Sequence, residues 1–117
     1  MGIPEKNGDS ISEDLKQVSV IEDSQIAEWM SMDIGEIQDL YSDITKIEEG
    51  KKEHLLLLLN FLKNGNRVFG SYEVLNDWLS KENFFFDNKA PGSFLNKISG
   101  IKFTNDRLCA IEHGDNV

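Results

Sequence analysis

EEGKKEHLLLLLNFLKNGNRVFG, residues 48–70, decides the fold. Five consecutive leucines, Leu55 to Leu59, then Phe61 and Leu62, make the segment apolar on nearly every side. A helix apolar all round is a buried helix, so the natural reading is a central helix surrounded by others. A five-leucine run also fits a buried strand. The length of the segment, the high helix propensity of leucine and Gly65 as a C-terminal stop favour the helix.

Helical spacing recurs on both sides of this segment. Upstream, Ile11, Leu15 and Val18 share a face, with Ser10 or Ser12 as cap and Glu13 and Asp14 in the first turn. Ser24 is the next cap candidate, opening a helix with Ile26, Trp29 and Met30 on one face. Gly35 interrupts that pattern before Ile37, Leu40, Tyr41 and Ile44 resume it. Downstream, Ser71 caps a helix whose broad apolar face holds Tyr72, Val74, Leu75, Trp78 and Leu79. Burying Trp78 there contributes on the order of 2 to 3 kcal/mol. Next comes a loop with Phe84, Phe85, Phe86, Asp87 and Asn88, then a helix opened by Pro91 and running through Phe94, Leu95 and Ile98. Gly100 separates it from a last helix with Leu108 and Ile111, closed by Gly114. On these stripes Trp78, Phe94, Leu108 and Ile111 are expected to face the core. No alternating strand pattern occurs, so the expected class is all-α.

The 117 residues suffice for one domain, and 39% hydrophobic with 28% charged residues is ordinary for a globule. Residues 1–9 read as a disordered tail with no periodicity. No apolar run approaches the roughly 20 residues of a bilayer span. The polar start MGIPEKNGDS resembles no secretory signal, and Lys6 stands where myristoylation wants Ser or Thr. A cytoplasmic protein without a membrane anchor is expected. A single cysteine, Cys109, excludes an internal disulfide and reads as a buried structural thiol rather than a reactive one. His54 and His113 have no metal-ligand spacing, and no metal or cofactor is expected.

Residues 1–50 hold 13 acids against three bases, a net charge of −10, whereas residues 51–117 hold eight acids against nine bases, a net +1. An acidic surface repels phosphate backbones. The segment from Asp33 to Ile44 offers Gln38 alone as a base-reading side chain, among Asp33, Glu36, Asp39 and Asp43. Specific DNA binding there is disfavoured, and a degenerate platform for dimerisation or docking, or a face for a basic partner, is the alternative. No glycine-rich phosphate loop and no nucleophile with a base is present, so no catalytic residue is assigned and an enzyme is not expected. Glu112 and His113 are adjacent in a helix and do not face each other.

Residues 24–44 have the outline of a helix-turn-helix. The downstream half carries a more specific pattern: VFGSYEVLNDWL, then FFFDNKAPGSFL, then a glycine and a helix ending IEHG. This pattern resembles the toxin-binding domain of Xre/MbcA/ParS-type antitoxins. Phe69, Gly70 and Ser71 match its opening, Trp78 and Leu79 its Trp-Leu pair, and Pro91 and Leu95 its Pro-initiated helix. Leu108, Ile111, Glu112 and Gly114 match its last helix, while Thr104 stands where an aliphatic residue is usual. Asp87 and Asn88 replace two loop glycines and are the non-glycine types that best tolerate positive φ.

The resemblance is strong over residues 67–115 and implies a division into a helix-turn-helix-like region, 10–66, and a toxin-binding region, 67–117. It also implies an antitoxin of a type II toxin-antitoxin system that binds a RES-type NAD-consuming toxin and occludes its active site. Such a protein would be a homodimer or part of a larger hetero-oligomer with toxin. Arg107, Ile111, Glu112, His113, Gly114 and Asp115 would then form the partner surface. Three consecutive aromatics cannot all point inward, so Phe84 and Phe85 join that surface. The alternatives are a DNA-binding regulator of the Xre helix-turn-helix type, or a solitary protein-binding module of the same family.

Overall fold

The computed structural model describes residues 8–43, 45 and 47–114. Among them are six α-helices and no strand, so the chain is all-α. In order these are α1 (Gly8–Gln17), α2 (Asp23–Met30), α3 (Ile34–Leu40), α4 (Glu49–Phe69), α5 (Tyr72–Ser80) and α6 (Ile98–Glu112). Two single 3₁₀ turns, Phe84–Phe86 and Pro91–Phe94, lie between α5 and α6. No helix among the described residues is long and apolar enough to cross a membrane.

The leucine-rich segment is the central helix that its composition predicts. α4 buries Leu55, Leu58, Leu59, Phe61 and Leu62, and α1, α2, α5 and α6 all touch it. Ile11 and Leu15 of α1, with Val18 and Ile21 just beyond, bring a buried apolar stripe into the same core. Each fully buried leucine or isoleucine contributes roughly 1.5 to 3 kcal/mol relative to an exposed one, which makes this hub the main source of stability. His54 hydrogen-bonds the Leu95 carbonyl at 2.9 Å and so ties α4 to the chain entering α6.

Gly65 does not stop α4. The helix runs on to Phe69 and ends at Gly70, whose φ of +88° suits a left-handed cap. Gly65 is glycine because α5 crosses there: a Cβ would lie 2.5 Å from Leu75 Cδ1. Ser71 then caps α5 as expected, accepting a hydrogen bond from Val74 N at 3.1 Å. Gly100 likewise separates nothing. It sits in the first turn of α6, where a Cβ would come within 1.8 Å of the Phe94 carbonyl oxygen. The helix expected from Pro91 onward is a single 3₁₀ turn, because α6 crosses over it at this point.

Other boundaries also move. α1 starts at Gly8, ahead of both serine caps, so Gly8 and Asp9 of the expected tail are helical and its first seven residues lie outside those described. α2 starts at Asp23 with Glu22 at the N-cap and no side-chain cap, so Ser24 is inside the helix. Gly35 is inside α3, and the turn runs from Ser31, at φ +54°, to Asp33. Ile44 lies outside the described residues. α2 and α3 form a packed pair of short helices, which alone does not make a helix-turn-helix.

Thr104, the apparent misfit, is buried in the core with its Oγ1 donating to the Gly100 carbonyl at 2.7 Å. The hydroxyl is satisfied within its own helix, so it occupies an aliphatic position at little cost. Cys109 is half-buried rather than buried. Two glycine sites give a direct contrast. Gly100→Ala is expected to lower stability by about 2 to 4 kcal/mol, since the new methyl meets backbone. Gly50→Ala, with nothing within 4 Å, should be neutral or stabilising by up to about 1 kcal/mol, both read from urea unfolding midpoints.

Candidate functional site

The three phenylalanines expected in a loop form one 3₁₀ turn, and that geometry sorts them. With three residues per turn, consecutive side chains point about 120° apart, so one can face inward while two face out. Phe86 is the buried one, and Phe84 and Phe85 are 80% and 39% exposed. The turn is held from below. Asn83 Oδ1 accepts from Phe85 N at 2.9 Å, and its carbonyl accepts from Phe86 N at 2.9 Å and Asn88 N at 3.0 Å. Asn83 N returns a hydrogen bond to the Lys89 carbonyl at 3.1 Å and closes the loop. Asp87 and Asn88 both adopt φ of +60°, the backbone their residue types allow.

Phe86 is the hub of an aromatic cluster drawn from five segments, its own turn included. Trp78 of α5 meets it edge-on at 5.6 Å and 84°, Phe94 at 5.3 Å and Phe103 of α6 at 5.4 Å. Phe69, at the end of α4, stacks on Trp78 at 5.3 Å. Edge-to-face pairs add roughly 0.5 to 1.5 kcal/mol each beyond burial, so the turn is anchored rather than floating. Trp78 and Phe94, expected in the core, are half-buried, as befits residues at the edge of this cluster.

The outer side of the cluster is an exposed apolar strip. Phe84 stacks edge-on with Phe85 at 5.8 Å, and the Arg107 guanidinium of α6 lies 3.7 Å above the Phe85 ring. That cation–π contact ties the turn to α6. One helical turn before Arg107, Phe103 is 48% exposed, and on the other flank Val74 of α5 is 50% exposed. A hollow of about 400 Å³ lies beside Phe84, lined also by Phe69, Trp78 and Lys81. Exposed aromatics and arginine on a rigid support are the composition of a protein-binding hot spot.

The remaining expected contacts lie apart. Glu112 is roughly 13 Å further along α6 than Phe103. Its carboxylate pairs with Arg67 of α4, Oε2 with Nη1 and Oε1 with Nη2 at 3.3 Å. The hydrogen bond from Arg67 holds the Glu112 carboxyl below the usual glutamate range, and the same bond raises Arg67. His113 turns its Nδ1 to the Cys109 carbonyl at 2.8 Å and closes the helix before Gly114, at φ +94°. Ile111, expected in the core, is half-buried, and Asp115 lies outside the described residues. The structure therefore brings Phe84, Phe85 and Arg107 together and leaves the IEHG segment as the lock between α6 and α4. Phe103 and Val74 join the surface without having been expected there. Phe103 had a signal, since it falls off the buried Ile101, Thr104 and Leu108 stripe of its own helix.

On α3, Gln38 is exposed among acids, and Glu36 Oε1 is engaged by Asp33 N at 3.0 Å as a helix cap. The pair of helices is fastened by Tyr41, whose hydroxyl donates to Asp23 Oδ1 at 2.7 Å. No group of three or more His, Cys, Asp or Glu among the described residues is placed to hold a metal. Compared with models of protein families the chain matches none, and no curated protein matches it.

Burial, then the hydrogen bond to Asp23 and the Asp23 charge, push the Tyr41 phenol up from 10.0 to about 12. A raised phenol stabilises the fold fully below its unfolded value and loses that contribution as pH climbs from 10.0 towards 12. Tyr41→Phe should cost on the order of 1 kcal/mol at neutral pH. It should also remove part of the alkaline destabilisation of the parent chain, which urea unfolding at about pH 7 and about pH 11 will read.

Proposed function

We propose that the chain is an antitoxin-type inhibitor that docks on a RES-type NAD-consuming toxin and obstructs its active-site cleft. Two independent lines support this reading. The first is the agreement of spacing with Xre/MbcA/ParS-type antitoxins, from Phe69-Gly70-Ser71 through Trp78-Leu79 and Pro91 to Ile111-Glu112 and Gly114. The second, which carries the proposal, is the exposed strip of Phe84, Phe85 and Phe103 with Arg107, all within the segment that bears the resemblance. Contiguous exposed apolar side chains of this kind are the composition of protein-interaction surfaces.

Inhibition by docking fits the chemistry present. A surface strip buries a partner's apolar groups and needs no nucleophile, base or metal. The partner surface is Phe84, Phe85, Phe103 and Arg107, with Val74 and the hollow beside Phe84 at its margin. The acidic α3 disfavours the alternative of a DNA-binding regulator, since Asp33, Glu36 and Asp39 flank Gln38 and the helix carries no Lys or Arg.

The test is co-expression with a RES-type toxin gene, which should relieve growth arrest. Phe84→Ala and Arg107→Ala should weaken binding of purified toxin by about tenfold or more in calorimetry. Phe84→Ala, at an 80% exposed position, should leave the unfolding free energy within about 0.5 kcal/mol of the parent. Growth arrest that persists on co-expression would overturn the reading.

A further inference from the structure

We propose that Asn83 is the positioning residue of the exposed strip: its side chain sets the direction of Phe84 and Phe85, and through Phe85 that of Arg107, acting through them rather than by a contact of its own. This role presupposes that the strip docks on a toxin. Phe84 is 80% exposed, and among the described residues the ring that stacks on it is Phe85, itself 39% exposed. The core therefore does not fix Phe84, and the backbone on either side must.

Burial of Phe86 pins the far end of the turn, and the near end is left to Asn83. A single 3₁₀ turn has few internal hydrogen bonds, and the first N–H groups of any helical turn find no partner inside it. Asn83 supplies what is missing twice over. Its carbonyl closes the turn by accepting from Phe86 N at 2.9 Å, and its Oδ1 accepts from Phe85 N, also at 2.9 Å. The second bond fixes the planar peptide between Phe84 and Phe85, and with it the angle at which both side chains leave the backbone. Asn83 is itself clamped: its N–H donates to the Lys89 carbonyl at 3.1 Å and its carbonyl accepts from Asn88 N at 3.0 Å. Asp87 and Asn88, both at φ +60°, turn the chain back for those two bonds.

Order then passes to α6. The Arg107 guanidinium rests 3.7 Å above the Phe85 ring, so a Phe85 that loses its direction takes that face away from the cation. What the site needs from residue 83 is a side-chain acceptor within reach of Phe85 N. Aspartate provides one in the same place and alanine does not. Asn83 also borders the hollow beside Phe84. A direct bond from its Nδ2 to a partner would be lost in Asn83→Asp and Asn83→Ala alike, whereas the positioning bond is lost in Asn83→Ala alone.

Proton NMR of the free full chain, with calorimetry against a purified RES-type toxin, tests this. In the parent, the Arg107 side-chain protons above the Phe85 ring should resonate upfield of their usual positions. Asn83→Asp should keep that displacement and bind toxin within about twofold of the parent, whereas Asn83→Ala should lose most of the displacement and bind about tenfold more weakly. Both variants should keep the far-UV circular dichroism of the parent, since the side chain caps a turn outside the six helices. An Asn83→Ala chain whose Arg107 signals match the parent's would overturn the proposal. So would an Asn83→Asp chain that loses the displacement or binds no better than Asn83→Ala. A parent chain that binds no toxin would contradict the docking role instead, and the free-chain signals would still decide the role of Asn83.

Discussion

Burial of the Phe86 ring is the constraint on which the site depends. Phe86 comes after Phe84 and Phe85 in a single 3₁₀ turn, so fixing one ring inward fixes the other two outward. Trp78, Phe94 and Phe103 hold it from three sides, and the Asn83 side chain and backbone close the loop beneath it. The exposed rings are therefore already ordered, and ordering of side chains is where much binding energy is otherwise lost.

The same economy explains how α6 is placed. Gly100 lets the helix touch the Phe94 carbonyl, Thr104 satisfies its own hydroxyl in the core, and Arg67 clasps Glu112 at the far end. α6 is thereby clamped near both ends, with Phe103 and Arg107 projecting between the clamps. Both are positioned by rigid helix rather than by a loop, which suits a surface that must present fixed contacts.

Much of the fold was legible in the sequence, and the exceptions have physical causes. The leucine run, the Ser71 cap and the tolerance of Asp87 and Asn88 for positive φ rest on local chemistry, and local chemistry is written in neighbouring residues. Gly65 and Gly100 misled because a glycine that ends a helix and a glycine that admits a crossing chain look identical in sequence. The latter is chosen by Leu75 and Phe94, from elsewhere in the chain. Site residues divide in the same way. Two outward phenylalanines are implied by three in a row, but Phe103 joins them only once α6 is packed, and the pairing of Glu112 with Arg67 is set only by the packing of α6 on α4.

The central claim, that the strip around Phe84 is a preformed protein-binding surface, is tested most directly by amide chemical-shift mapping of the labelled chain titrated with a purified RES-type toxin. The account predicts changes concentrated at Phe84, Phe85, Phe103 and Arg107, with the Asn83 loop unchanged in backbone conformation. Changes confined to α2 and α3, or none at saturating toxin, would contradict it.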